Sequence, residues 1–179
     1  MKKLISLLLF VLSCVSVNAQ DVWQPDTVIS AQDKTPEQIL ICSSQWAATT
    51  FAQLSPTISS DDNSVVILLN IPFKINNMTW AAGSGYITGQ IKIQARDGRF
   101  KVTLSNFNHF STSTQSPDWW SMGLILESTP EQYQKGLKWK QKREVYKRVL
   151  EDLNEFKEFV FTSAATQIPN CSPKEEEDW

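Results

Sequence analysis

The chain has 179 residues, with 17 Lys and Arg against 19 Asp and Glu, so its net charge is −2. An acidic balance argues against a nucleic-acid partner, which selects for a basic surface. The only histidine is His109, so the three cysteines lack the companions that a zinc site would need, and no metal or cofactor is expected.

The first 19 residues have the pattern of a secretory signal peptide. Lys2 and Lys3 precede an apolar run from Leu4 to about Val17, and small residues lead to a cleavage site after Ala19. The run is too short for a membrane-spanning helix, and no later run approaches the roughly 20 apolar residues that one requires. The sequence therefore predicts a periplasmic or secreted protein without a transmembrane segment.

An alternative reading treats residues 11–14 as a lipobox, with Cys14 lipidated after cleavage. Leu12 is bulky for a position that usually holds a small residue, so simple cleavage after Ala19 is favoured. Cleavage there removes two lysines and no acid, which takes the net charge from −2 to −4 and leaves 160 residues. We predict one α+β domain over residues 20–165 and an acidic tail over 166–179.

The first half of the domain reads as strand, helix, strand. A β-prone piece surrounds Val28, and a helix begins after Thr35, where Pro36 and Gln38 complete a capping box. The run SVVILLNIPF, residues 64–73, is then a well-covered strand. A turn at residues 76–77, a short strand over 78–81 and a change of direction over 83–85 follow.

A long hairpin from about Tyr86 to Phe110 is the clearest element. Asp97-Gly98 predicts a type I′ turn between two alternating segments. Around that turn the buried pairs are Ala95 with Phe100, Ile93 with Val102 and Ile91 with Leu104. The opposite face carries the cations Lys92, Arg96, Arg99 and Lys101. Alternation fails past Asn106, which predicts a bulge or a strand end there.

The last part of the domain is predicted to be helical. A polar connection leads to Trp119-Trp120 and a short apolar piece over 122–126. Apolar residues then recur at helical spacing from Ser128 to about Ala164, and Gly136 should delay or break the first turns. Together these elements predict an α+β fold in which an antiparallel sheet packs against helices.

Few residues offer chemistry. The sequence holds no nucleophile motif, no carboxylate pair of clear acid-base type and no phosphate-binding glycine loop. His109 is predicted to be a strand-end or surface histidine, and Asp61-Asp62 a solvated loop pair. We therefore predict that the protein is not an enzyme.

Two clusters of cations are candidate binding surfaces for an anionic glycan, a lipid headgroup or an acidic envelope protein. The first is the hairpin face, and the alternative for both clusters is ordinary solvation of an exposed sheet face and helix. The second lies at the start of the last helix and comprises Lys135, Lys138, Lys140, Lys142, Arg143, Lys147 and Arg148. Trp119-Trp120 either stacks on a sugar ring or pins its loop to the core.

Two covalent features remain open at this stage. Cys42 and Cys171 both survive cleavage, and an oxidising compartment would let them pair, although Cys42 also fits a buried helix position. Asp26-Thr27-Val28 resembles the short acceptor motif of the O-glycosylation system of Bacteroides-type bacteria.

The order helix, strand, strand and long hairpin resembles a family of exported Bacteroidetes proteins of unknown function with a TATA-binding-protein-like (TBP-like) fold. The matching features are Trp46 in the centre of the helix and the turn Asp97, Gly98, Arg99 and Phe100. The resemblance covers roughly residues 25–110, and Ala95-Arg96 departs from the apolar-Lys pair expected before the turn. It implies the order strand, helix, antiparallel strands, helix, and brings neither an activity nor DNA binding with it.

The favoured function is an uncharacterised, non-catalytic binding or accessory module of the cell envelope. An inhibitor that presents its sheet or loops to an enzyme is the first alternative. An enzyme with an unrecognised site is the second.

Overall fold

The computed structural model describes residues 21–76 and 81–172. The strands in chain order are β1 (Asp26–Ser30), β2 (Thr57–Ser60), β3 (Ser64–Phe73), β4 (Gly85–Arg96), β5 (Arg99–Ser111) and β6 (Gly123–Leu124). The helices are α1 (Pro36–Thr50), α2 (Pro117–Trp120), α3 (Glu131–Gln134) and α4 (Lys140–Asn170). Single 3-10 turns lie at Ala52–Leu54, Ala81–Gly83 and Leu137–Trp139.

The described strands form one antiparallel sheet in the order β1-β5-β4-β3-β2, with β6 added beside the end of β5. Helices α1 and α4 contact each other and the same face of the sheet. Side chains that alternate along β3, β4 and β5 fill the layer between sheet and helices, and the core also takes in Trp46 and Phe51. The other face of the sheet, called here the open face, carries none of the helices described in residues 21–76 and 81–172. The predicted α+β arrangement is confirmed.

Helix α1 begins as predicted. The Thr35 hydroxyl accepts the N–H of Gln38, and the Gln38 side chain accepts the N–H of Thr35, which closes the capping box. Two of the four N–H groups that a helix start leaves unpaired are thereby satisfied. The face of α1 that packs on the sheet includes Ile39, Cys42 and Trp46, all buried.

The hairpin register is also confirmed. Ala95 opposes Phe100, Ile93 opposes Val102 and Ile91 opposes Leu104. Five of these six side chains are buried, and Ala95 is partly buried against the same core. Because side chains alternate between faces, the intervening cations project from the open face.

The type of the turn is different from the prediction. Gly98 has φ +66°, but Asp97 is not among the described residues with positive φ, so the turn is not type I′. Tertiary contacts explain this. The Gly98 carbonyl accepts the N–H of Ala31 at 2.8 Å, and the Gly98 N–H reaches the Lys34 carbonyl at 3.4 Å. The hairpin turn is thus docked on the β1–α1 connection, which orients its peptide groups.

The predicted irregularity past Asn106 is a β-bulge. Thr88 pairs with Asn108 but Gln90 pairs with Ser105, so Asn106 and Phe107 together oppose Gly89. Asn106 takes φ +59°, a left-handed conformation that asparagine tolerates. The extra residue turns Phe107, His109 and Ser111 toward the core.

Several boundaries differ from the prediction. Strand β2 was missed because Ile58 is its only apolar residue and it is a short edge strand. Gly136, at φ +89°, breaks the last helical region as expected, but α4 continues to Asn170 rather than ending near Ala164. The predicted strand over 78–81 lies almost wholly outside the described residues, and Ala81 begins a 3-10 turn.

A disulfide joins α1 to the end of α4. It links Cys42 to Cys171, whose Cα atoms are 5.8 Å apart. The Lys34 ammonium donates to the Cys171 carbonyl at 2.5 Å beside it. Helix α4 ends at Asn170, so it extends into residues 166–179, which were predicted to form an acidic tail. Residues 173–179 of that segment lie outside the described part.

Candidate functional site

The open face carries the four predicted cations at one end, around the hairpin turn. We call Lys92, Arg96, Arg99 and Lys101 the cationic face. Arg96 and Arg99 are direct cross-strand partners and are both exposed, while Lys92 and Lys101 are half-buried. Their strands are fixed by the buried pairs on the other side of the sheet. The sequence therefore placed all four cations on one surface correctly.

Only one cation of this face has an ion-pair partner among the described residues. The Lys101 ammonium lies 2.7 Å from an Asp26 carboxylate oxygen, and both side chains are nearly half exposed. Lys92 is close enough to Asp61 to contribute to lowering the pKa of that carboxyl. Arg96 and Arg99 take part in none of the ion pairs found in the described part of the chain.

A hollow of about 240 Å³ opens between β1 and the hairpin on the cationic face. It is lined by Val28, Gln94, Arg96, Arg99, Phe100 and Lys101. Val28 lines the hollow and Asp26 reaches Lys101 because β1 pairs with β5, so that Val28 opposes Lys101. Sequence analysis missed both residues, since alternation shows that β1 is a strand but not which strand it joins.

His109 is not a surface histidine, as one predicted alternative held, although it does lie near the end of β5. Its side chain is fully buried, with Nε2 2.9 Å from the Gly83 carbonyl, and its Nδ1 accepts the N–H of Met122 at 3.2 Å. Burial lowers its pKa to about 4, although the hydrogen bond to Gly83 acts in the opposite direction. The bulge explains the error, because it turns His109 inward. A neutral imidazole with both nitrogens engaged holds two loops together.

Asp61 acts as a turn residue. Its carboxylate accepts the N–H groups of Asn63 at 2.9 Å and Ser64 at 2.7 Å, and the Ser64 hydroxyl at 3.0 Å. These bonds, led by the Asn63 backbone, lower the pKa of Asp61 and favour its charged form. The pair Asp61-Asp62 thus lies in the loop between β2 and β3, and Asp61 caps the turn that leads into β3 at Ser64.

The second cluster of cations does not form one free surface. Lys142 is buried, with its ammonium 4.6 Å from the Trp119 ring centroid and near the rings of Tyr133 and Trp139. Desolvation lowers the pKa of this lysine. Arg143 and Arg148 are also engaged: the former donates to the carbonyls of Tyr133 and Gln134, and the latter pairs with Glu151 and Asp152. Three of the seven cations of this cluster are thus engaged in internal contacts, while Lys135, Lys140 and Lys147 are exposed.

The tryptophan pair pins its loop. Trp119 stacks on Trp139 with ring centroids 5.0 Å apart, and Trp120 packs against the core. Both are half-buried. This arrangement matches the second of the two predicted alternatives, in which the tryptophans hold α2 against the rest of the domain.

Two other kinds of feature, a metal-binding group and a membrane-spanning helix, are not found in the described ranges 21–76 and 81–172. These ranges contain no group of three or more His, Cys, Asp or Glu side chains placed to hold a metal ion. Within the same ranges no helix is both long and apolar enough to cross a membrane.

The fold, one antiparallel sheet with helices on a single face, is the TBP-like α+β class. The chain is similar in structure to a TBP-like protein from Parabacteroides distasonis, with a TM-score of 0.56 and 10% identity over 80% of this chain and 93% of that one. It is also similar to a DUF4468 family protein from Bacteroides ovatus, with a TM-score of 0.50 and 12% identity over 89% and 95% of the two chains. At such identities the likeness establishes the fold alone. No family model and no curated protein matches the chain.

Proposed function

We propose that the protein is an exported, non-catalytic binding module of the bacterial cell envelope, and that its cationic face holds an anionic partner. The observation that carries the proposal is the one-sided placement of Lys92, Arg96, Arg99 and Lys101. They gather on the face that no helix covers, in a chain whose overall charge is acidic.

The cationic face carries positive charge that carboxylates of the protein do not fully compensate. Its two arginines oppose each other across the hairpin, an arrangement that disfavours folding slightly when both carry the same charge. Internal carboxylates compensate them poorly, because Asp26 pairs with Lys101 instead. An anionic partner would remove this repulsion, so the face is better suited to a complex than to the free protein.

The shape of the face favours binding over catalysis. The hollow at its cationic end is smaller than the roughly 300–1,000 Å³ typical of pockets that enclose a small molecule. His109, which would be the natural base, is buried on the opposite side of the sheet with both ring nitrogens engaged. An extended partner lying across the strands fits this geometry best.

Capture from envelope extract tests the proposal. The chain should be found in the periplasmic or outer-envelope fraction and should recover a partner there. A variant with Lys92, Arg96, Arg99 and Lys101 all changed to Gln should lose that partner, and raised salt should release it from the natural protein.

A matched control separates the cationic face from charge in general. Changing four exposed lysines outside the open face to Gln removes the same charge and should leave capture intact; they are Lys74, Lys135, Lys140 and Lys147. Equal recovery of the partner by all three proteins would show that the cations of the cationic face are only solvated and do not bind it. A captured enzyme that loses its activity at a one-to-one ratio would identify an inhibitor instead, and turnover of a substrate by the purified protein would defeat the non-catalytic proposal.

A further inference from the structure

We infer that the hollow on the cationic face receives a phosphomonoester group carried by a saccharide, and that Arg96 and Arg99 grip the phosphate together. The inference rests on the proposed function, because it names the ligand class of the same surface. It starts from the two arginines, since the fold itself gives them no described ion-pair partner.

The backbone that carries the two arginines is held in place beside the hollow. Arg96 and Arg99 flank the turn as register partners, and the turn is tied to the β1–α1 connection through Gly98. Ala95, which precedes Arg96, and Phe100, which follows Arg99, both pack on the core. Two arginines on such a rigid support form a preorganised site, which lowers the entropy cost of binding.

The number of charges and donors favours a phosphomonoester over a carboxylate. A carboxylate has two oxygens and one negative charge, so a single guanidinium fork satisfies it. A phosphomonoester has three terminal oxygens and a charge of about −1.5 to −2 near neutral pH, which suits two forks at once. Lys101 already shares its charge with Asp26, so the site offers two uncompensated cations. Arginine is the residue best suited to this planar, paired contact.

The rest of the open face indicates what carries the phosphate. The hollow lies at one end of the open face, so a ligand whose phosphate contacts the two arginines has its remainder beside the neighbouring side chains of the sheet. The open-face side chains next to the cations along β4 and β5 are uncharged hydrogen-bonding groups, namely Gln90, Gln94 and Thr103. Amides and hydroxyls match the hydroxyl groups of a sugar. Exposed apolar side chains of this face, Val28, Leu68 and Phe110, lie on three different strands, and none opposes another. They form no continuous strip for an acyl chain, which favours a phosphorylated saccharide over a phospholipid.

The test is a titration of the full folded chain with defined probes, followed by the side-chain and backbone N–H signals in NMR. The probes are glucose monophosphate, glucose sulfate, glucuronate and a glucose phosphodiester. We expect glucose monophosphate to shift the Arg96 and Arg99 signals and to bind most tightly of the four.

Arginine-to-lysine changes separate geometry from charge. Arg96→Lys and Arg99→Lys keep the net charge but remove the fork, and each should weaken binding of glucose monophosphate about tenfold, the loss of one good charge-assisted contact. Lys140→Arg, at an exposed position on α4, is the matched control and should leave the affinity unchanged. Unperturbed backbone signals elsewhere will show that the variants remain folded.

The pH dependence identifies the ester. Affinity for glucose monophosphate should rise several-fold from pH 5.5 to 7.5, as the phosphate loses its second proton near pH 6. Asp26 on β1, Asp97 in the turn and Asp61 near Lys92 are carboxylates around the cationic face. The phosphodiester keeps a constant charge, so its affinity should stay flat and will report any contribution from these groups.

Three results would overturn the inference. They are equal affinity of the lysine variants, binding of glucuronate or glucose sulfate as tight as that of the monophosphate, and binding to phosphatidic acid vesicles without binding to the free sugar phosphate. The first two leave the proposed function standing if envelope capture still depends on the four cations. Loss of that dependence, by contrast, would remove the proposed function itself.

Discussion

At the scale of single residues, His109 predicts how stability depends on pH. Its pKa in the folded protein is about 4, against 6.5 for an unperturbed histidine, because burial disfavours the charged ring. The unfolded chain therefore binds a proton more readily than the folded one between these values. Its contribution to stability is complete above about pH 6.5 and is lost as the pH falls toward 4. Urea unfolding should show a loss of about 2 kcal/mol between pH 7.5 and pH 5 from this group.

The variant His109→Gln is the control for that step. A glutamine can accept the Met122 N–H and donate to the Gly83 carbonyl but has no proton to gain in this range. It should start from a lower free energy of unfolding and show a shallower decline between pH 7.5 and 5. An equal decline in both proteins would place the pH dependence on carboxyl groups and not on His109.

Residue patterns predicted the inward and outward sides of the hairpin but not the identity of every inward residue. Ile91, Ile93 and Val102 could be assigned because alternation with period two is a local signal. Phe107 could not, because its inward position depends on Gly89 of the opposite strand. A Cβ atom built on Gly89 would lie 2.4 Å from the Phe107 ring, so the glycine makes the space that the aromatic ring fills. Such a pairing spans 18 residues and leaves no mark in either segment alone.

At the scale of elements, strong local chemistry decided which predictions succeeded. The capping box at Thr35, the break at Gly136 and the long alternation of β4 and β5 are contained within short windows, and each appears in the structure. Strand β2 and the final turns of α4 are stabilised by their neighbours. Ile58 pairs across to Ile67 of β3, and the end of α4 is tied to α1 through Cys171.

The disulfide between α1 and α4 predicts a large effect of reduction on stability. The two cysteines are 129 residues apart in sequence, so the link constrains most of the unfolded domain. Reduction should lower the free energy of unfolding by roughly 2–5 kcal/mol, the usual range for a long closed loop. Urea unfolding with and without dithiothreitol measures it.

The variant Cys171→Ala supplies the comparison for reduction. It should unfold at lower urea than the oxidised natural protein and should not respond to dithiothreitol. If the natural protein unfolds at the same urea concentration with and without reductant, the link contributes nothing to stability, and the end of α4 is held by packing alone.

At the scale of the whole molecule, the two sides of the sheet have different roles: one packs on the helices and the other presents the cations. Helices α1 and α4 cover one side of the sheet and leave the open face free, and the cations predicted for the hairpin stay there. In the predicted cluster near the last helix, Lys142, Arg143 and Arg148 make internal contacts, whereas Lys135, Lys140 and Lys147 are exposed. Both clusters look alike in composition. Only the three-dimensional neighbours separate them, which is why the sequence could name the candidate surfaces but could not choose between them.

The acidic residues near the C-terminus of the chain are expected to weaken the binding of an anionic partner at the cationic face. The Cys171 carbonyl accepts a hydrogen bond from the Lys34 ammonium at 2.5 Å, and the Lys34 carbonyl is 3.4 Å from the Gly98 N–H of the hairpin turn. Four acids follow a few residues after Cys171, at positions 175–178. Their attachment point therefore lies close to Arg96 and Arg99, and they should compete electrostatically with an anionic partner.

Changing Glu175, Glu176 and Glu177 to Gln and Asp178 to Asn should raise the affinity for glucose monophosphate several-fold at low salt. The gain should vanish near 1 M salt, where the screening length is about 3 Å. The same four-charge change at Glu127, Glu131, Glu155 and Glu158, exposed positions farther along the chain from that attachment point, should have a smaller effect. Equal gains from both sets would show that only the net charge of the chain matters for binding.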